Sequence, residues 1–151
     1  MRTLFTVASL ILSTTSLFAH VRVRPAESRV AATETYTMRV PSERGLTTKS
    51  VALTVPDGVT IVSVGVVKGV TSVTFDEKRA GDRPATVTWT IEIKPGEAAE
   101  LTFVAQNPAE GATIAWPVHQ NYTDGSTSAW VGPKGDKAPA PVTTLTTSAT
   151  K

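Results

Sequence analysis

The sequence contains no cysteine, and this absence excludes several kinds of chemistry at once. Disulfides, thiolate metal sites, iron–sulfur clusters and lipid attachment at a lipoprotein cysteine all require that residue. A metal ion would have to be held by nitrogen or oxygen, or by one of the two methionines. Met1 stands in a segment that we expect to be removed, so Met38 is the sulfur donor that remains.

An excess of charge of one sign is also lacking, because the formal net charge is +2 over 151 residues. Lysines and arginines are spread among the acidic residues, with no basic stripe and no stacking aromatics beside one. Nucleic-acid binding usually requires such a stripe, and we therefore predict no nucleic-acid partner. The 40% of apolar residues suffice for a globular core at this length without metal or disulfide support.

No apolar run in the sequence is long enough to span a bilayer as a helix. The stretch from Leu4 to Leu12 follows the positive charge of Arg2, and a more polar segment leads from it to Ala19. This layout is typical of a secretory leader that is cleaved after Ala19. An uncleaved amphipathic anchor is the alternative, since Leu17 occupies a position where cleavage motifs prefer a small residue.

The chain therefore divides into three predicted segments. They are a signal peptide over residues 1–19, one domain over residues 20–146 and a flexible tail over residues 147–151. After cleavage, no apolar segment would hold the protein in a membrane. We expect a periplasmic or secreted protein.

Cleavage after Ala19 would make His20 the first residue of the mature chain. A terminal histidine carries a free α-amine and the imidazole Nδ1, which together can close a six-membered chelate ring around one ion. Both are nitrogen donors that suit copper(II). The α-amine has an ordinary pKa of about 7.7–8 and gives up its proton near neutral pH when a metal competes. The alternative is a solvated terminus without a metal, which is the commoner case for an isolated terminal histidine.

The rest of the chain alternates apolar and polar residues with a period of two, which indicates β-strands. The clearest stretches are residues 35–40, 50–55, 87–93 and 101–106, with a last strand expected at residues 142–145. The turn sequence Lys94–Glu97 is expected to join two antiparallel strands as a hairpin. Many short strands without a helical stripe predict an all-β, immunoglobulin-like, Greek-key β-sandwich.

Catalytic constellations are scarce, because the chain has two histidines and no cysteine. His119 could act as a base with Asp124 and a serine, but these residues belong to a strand and its turn and not to a triad. His119 is more simply explained as a strand residue. The zinc motif H-E-x-x-H is absent as well. We predict that the protein is not an enzyme.

Four segments, taken in order, are similar to a known family. They read HVRVRP, ETYTMRVPSERGLTTKSVALTVPDGV, TWTIEIKPGEAAELTFVAQNP and WPVHQNYTDGSTSAWVGP. They resemble the YcnI-like copper-binding domain, also called domain of unknown function 1775, over about residues 20–145. The resemblance implies an exported β-sandwich that binds one copper(II) ion through a mature N-terminal histidine, a role that falls on His20. It also implies a tryptophan near the metal at Trp130, for which core packing is the alternative explanation.

One position departs from that family. In relatives of the founding type, a glutamate in the strand after the TTK segment completes the copper coordination, and the matching residue here is Ala52. Alanine cannot bind a metal, so the resemblance leaves the further ligand open among Glu27, Glu34, Glu43 and Asp124. Glu43 is the substitute ligand that we carry forward, although Glu34 and Glu43 can each be explained as solvated charges at strand ends.

Three functions are consistent with these observations. The first is a copper(II) chaperone or scavenger in copper homeostasis, with another copper-handling protein of the periplasm or membrane as partner. The second is a structural or protein-binding β-sandwich whose metal site has degenerated, as Ala52 indicates. The third is a copper oxidase of the histidine-brace kind, which would need His119 as its second histidine.

Overall fold

The part of the chain described in a computed structural model, residues 20–42, 44–78 and 84–147, contains twelve β-strands and no helix. No helix capable of crossing a membrane is therefore found among these residues. The predicted signal peptide (residues 1–19), Glu43 and the end of the predicted tail (residues 148–151) lie outside the described residues. The strands are β1 (Arg22–Arg24), β2 (Glu27–Arg29), β3 (Thr33–Pro41), β4 (Thr48–Thr54), β5 (Thr60–Val64), β6 (Val70–Lys78), β7 (Pro84–Ile93), β8 (Ala98–Gln106), β9 (Thr113–Ala115), β10 (Val118–Tyr122), β11 (Thr127–Trp130) and β12 (Val142–Thr146).

These strands form three sheets. One has four strands in the order β1-β3-β8-β5, one has five in the order β11-β10-β4-β7-β6, and a smaller one has the order β2-β12-β9. Consecutive strands from β3 to β6 alternate between the two large sheets, so most strands pair with partners that are distant in sequence. This arrangement confirms the predicted all-β sandwich.

The alternation seen in the sequence decides which side chains form the core. Tyr36, Met38 and Val40 of β3 are completely buried, and so are Val51 and Leu53 of β4. Residues between them in sequence point to the other side of their strands. Burial of each such side chain stabilises the fold by about 1.5–3 kcal/mol before the entropy of ordering it is counted. The inward and outward sets predicted from the sequence are therefore confirmed in these strands.

The predicted hairpin at Lys94–Glu97 is wrong. The turn joins β7 and β8, but β7 pairs with β4 and β6, whereas β8 pairs with β3 and β5. The turn thus crosses from one large sheet to the other, and its Gly96 N–H donates to the Ser42 carbonyl at the end of β3 (2.7 Å). A tight turn has the same local sequence in both cases. The partners are decided by burial, which places Ile93 and Leu101 in the core from opposite sheets.

Two edge strands bring the start of the domain to its candidate site. β1 is an edge of the four-stranded sheet, and β11 is an edge of the five-stranded sheet. Val21 and Val23 are buried in the core, which fixes the chain on both sides of Arg22. The residue before them, His20, therefore lies where the two large sheets meet, close to Trp130 at the end of β11.

Candidate metal centre

His20 is half-buried and contacts the chain that ends β11 and continues beyond it. The centroid of its imidazole lies 5.4 Å from that of the Trp130 ring, with the planes at 66°, an edge-on arrangement. Its Nε2 lies 3.1 Å from the carbonyl oxygen of Lys137. The imidazole is thus placed by an indole on one side and a loop carbonyl on the other. The structure brings together the two residues, His20 and Trp130, that the sequence analysis associated with a metal.

The orientation of Trp130 is set by Gln120, which is completely buried. The Trp130 Nε1–H donates to the Gln120 Oε1 at 3.3 Å. The Gln120 Nε2 in turn donates to the Pro41 carbonyl (2.8 Å) and to the Thr48 Oγ1 (2.7 Å). Because Pro41 belongs to the four-stranded sheet, this network ties the indole beside His20 to both large sheets.

Sequence reasoning identified neither Gln120 nor the contact at Lys137. Gln120 occupies an inward position of β10 between the buried Val118 and Tyr122, and a polar residue in an apolar register is a signal that could have found it. Lys137 contributes its backbone carbonyl, which every residue possesses. No sequence signal could have found that contact.

Trp116 belongs to the core, unlike the partly buried Trp130. It is completely buried, and its ring lies 4.8 Å from that of Tyr36 and 5.4 Å from that of Phe103. Its Nε1–H donates to the Thr143 Oγ1 at 3.0 Å. Packing and one satisfied hydrogen bond account for this residue completely.

Ala52 and His119 lie opposite each other on β4 and β10. They face outward, because Val118, the neighbour of His119 in sequence, is completely buried. Trp130 lies opposite Val118 on β11 and therefore faces the inner side of the same sheet. His119 is a strand residue, as the sequence indicated. A side chain at position 52 projects from the face opposite to the one that carries Trp130.

Two of the acidic candidates are engaged in local hydrogen bonds. Glu34 accepts from the Ser28 hydroxyl (2.9 Å) and from the Thr35 N–H (3.2 Å). Asp124 accepts from the hydroxyl and the backbone N–H of Ser126, at 2.7 and 2.9 Å. These bonds to the Ser126 side chain and backbone lower the pKa of the Asp124 carboxyl below its ordinary value. Both carboxylates thus have structural roles where they stand.

The other two acidic candidates differ in position. Glu27 is exposed on β2, opposite Thr144 of β12. Glu43 lies outside the described residues, and its role stays a prediction. Within the described ranges, no three side chains of the types His, Asp and Glu form a group that could hold a metal ion. Among the predicted metal residues in those ranges, His20 is the one whose side chain contacts Trp130.

A comparison with known structures supports the fold. The crystal structure of an uncharacterized protein from Nocardia farcinica, which reveals an immunoglobulin-like fold, has a TM-score of 0.73 to this chain. The two are 24% identical in sequence, and the match covers 84% of this chain and 98% of that one. The immunoglobulin-like part of the fold prediction is confirmed.

Comparison with known sequences gives the family. The copper-binding protein CutI of Bacillus subtilis (strain 168) is 37% identical over 145 residues, which cover 94% of this chain and 70% of that protein. Residues 20–145 match the family described as Domain of unknown function (DUF1775). Both matches agree with the resemblance of the sequence motifs. The chain belongs to the DUF1775 family.

Proposed function

We propose that this protein is exported and binds one copper(II) ion through the α-amine and the imidazole Nδ1 of a mature N-terminal His20. The observation that supports it most is the placement of His20, which packs against Trp130 where the two large sheets meet. The family match begins at the same residue. A relative with 37% identity is named a copper-binding protein.

The chemistry of this site is that of a two-nitrogen chelate on one residue. Binding removes the proton of the α-amine and therefore weakens as the pH falls below about 7.7. Two nitrogens leave coordination positions for water, for Glu43 or for a ligand of another protein. An incoming ligand can then attack before the first ligands leave, which suits a chaperone or scavenger that exchanges copper with a second copper-handling protein.

The test compares two chains that both begin at His20 and differ only at the N-terminal nitrogen. One has the free α-amine, and the other is acetylated there, which removes one of the two proposed nitrogen donors. We expect the first chain to bind one copper(II) ion with nitrogen ligation in electron paramagnetic resonance spectra, and the second to bind much more weakly. Mass spectrometry of the secreted protein fixes the natural first residue. Equal binding by both chains, or a natural terminus other than His20, would contradict the proposal.

The histidine-brace oxidase makes a separate prediction about the second histidine. His119 lies on the outer face of its sheet, opposite to the face that carries Trp130. We expect that His119→Ala leaves the copper affinity of the mature chain unchanged, because the residue does not face His20. A fall in nitrogen ligation in the spectrum of this variant would favour the oxidase.

The structural or protein-binding sandwich with a degenerate site remains the second candidate, and Ala52 is the observation behind it. The structure weakens the argument from Ala52, because a side chain at position 52 projects from the outer face of the sheet, whereas Trp130 lies on the inner face. This candidate predicts that copper binds no more tightly than to an unrelated peptide that begins with histidine. Titration of such a peptide beside the mature protein separates the two functions.

A further inference from the structure

The hydrogen bond at Nε2 of His20 has a consequence for the opposite ring nitrogen. A carbonyl oxygen can only accept, so the Nε2 that lies 3.1 Å from the Lys137 oxygen must carry the proton. In a neutral imidazole the proton is then absent from Nδ1, whose lone pair is free. We propose that the turn over residues 131–137 is a positioning element that holds His20 in the tautomer able to bind copper, an inference that rests on the proposed function.

The proposed chelate needs that tautomer. The α-amine of His20 can share an ion only with the Nδ1 of the same residue, because Nε2 lies on the far side of the ring. A proton on Nδ1 would have to be removed before the ion could bind. Trp130 packs edge-on against the ring, so the indole and the Lys137 carbonyl together define its orientation. Both contacts come from one short segment of chain.

The turn is built so that the carbonyl is held in place. The Gly132 N–H donates to the Ala138 carbonyl (3.0 Å), and the Ala140 N–H donates back to the Gly132 carbonyl (2.8 Å). Next to the functional carbonyl, the Lys137 N–H donates to the Asp136 Oδ1 at 2.7 Å. The two ends of the turn are thus joined by backbone bonds, and the Asp136 side chain holds the N–H of Lys137 beside one of these ends.

Gly132 and Asp136 depend on each other. A Cβ atom on residue 132 would lie 2.5 Å from the Asp136 Oδ2 and 3.0 Å from the Asp136 Cβ, so the Asp136 side chain would have to shift. We expect an alanine at position 132 to disturb the hydrogen bond from the Lys137 N–H to the Asp136 Oδ1. Gly132→Ala weakens this bond and Asp136→Ala removes it, and neither variant alters His20 or Trp130.

The experiment measures the tautomer in the metal-free mature protein. With ¹⁵N-labelled histidine at mildly alkaline pH, where a free imidazole is neutral, long-range ¹H–¹⁵N spectra show which ring nitrogen carries the proton. We expect His20 to be in the Nε2–H form in the unaltered protein and in a mixture of forms in Gly132→Ala and Asp136→Ala. Copper affinity in both variants should fall about 10-fold, as is usual for loss of a group that orients a metal ligand.

Lys137→Ala is the matched control, because it removes the side chain and retains the carbonyl. We expect its tautomer and its copper affinity to equal those of the unaltered protein, and the spectrum of His119 to be the same in every variant. The inference is overturned if His20 of the unaltered protein is not mainly Nε2–H, or if both turn variants keep its tautomer and affinity. A fixed tautomer in a protein that does not bind copper would instead refute the proposed function, and the role of the turn with it.

Discussion

At the scale of single residues, Gln120 links the core to the candidate site. It donates to the Pro41 carbonyl and the Thr48 hydroxyl and accepts from Trp130. Gln120→Leu would keep its volume and remove all three bonds, leaving the buried Pro41 carbonyl and the Trp130 N–H with no partner at this position. We expect a loss of about 2–3 kcal/mol in the free energy of unfolding, measured with urea.

The adjacent Asn121 is a suitable control for that variant. It is half-buried and bonds to Ser50 and Thr127 on the outer side of the sheet. Water can replace these partners, so Asn121→Leu should cost less than Gln120→Leu. If both variants lost the same free energy of unfolding, burial of the Gln120 hydrogen bonds would add nothing to stability.

Tyr36 makes the stability of the protein sensitive to alkaline pH. Burial raises the pKa of its phenol above the ordinary value of 10.0, an effect that its hydrogen bonds only partly offset. The folded protein therefore retains the proton at a pH where the unfolded chain has lost it. The contribution of the Tyr36 phenol to the free energy of unfolding is complete below about pH 10. It declines as the pH rises from there through the pKa of the folded state. Urea midpoints at about pH 8 and about pH 11 should show the decline.

The variant Tyr36→Phe tests whether Tyr36 causes this loss of stability at alkaline pH. It removes the titrating group, so its midpoint should decline less between the same two pH values. Its stability at neutral pH should also be lower, because the Asn107 Oδ1 loses the donor that lies 2.7 Å away. A decline as steep as in the unaltered protein would assign the effect to other groups.

At the scale of elements, the turn at Lys94–Glu97 connects β7 and β8, which belong to different sheets. Gly96 has φ of 80°, a conformation that costs other L-residues roughly 1–2 kcal/mol. Gly96→Ala should therefore lower the free energy of unfolding by about that amount. Gly96→Asn should cost less, because asparagine tolerates this region better. Urea unfolding of both variants measures the difference. An unchanged free energy of unfolding in Gly96→Ala would be inconsistent with the turn described.

At the scale of the whole molecule, copper should stabilise the folded state only to the extent that the folded chain binds copper more tightly than the unfolded chain does. An unfolded mature chain still carries the amine and imidazole of His20, and binding to the unfolded state reduces the stabilisation. If the folded surroundings raise the affinity 10-fold, saturating copper stabilises the protein by about 1.4 kcal/mol. Thermal unfolding with and without copper measures this gain. A chain whose His20 α-amine is acetylated should show no such gain. A mature chain whose thermal unfolding does not change with copper would favour the structural sandwich.

Much of the fold could be predicted because its signal is local. Alternation of apolar and polar residues has the period of a strand, and the strands at β3, β4, β7 and β8 appear where that pattern occurs. The residues named for the metal, His20 and Trp130, came from a terminal motif and a family resemblance, and the structure places them in contact. These features belong to short stretches of sequence and do not depend on how distant strands pair.

Tertiary structure alone decided the features that depend on distant partners. It assigned β7 and β8 to different sheets, placed Ala52 and His119 on the outer face, and seated Gln120 behind Trp130. It also brought the Lys137 carbonyl to His20 across 117 positions of sequence. Such pairings are chosen by the burial of whole faces against each other, which no single segment encodes, and a backbone carbonyl carries no side-chain signal at all.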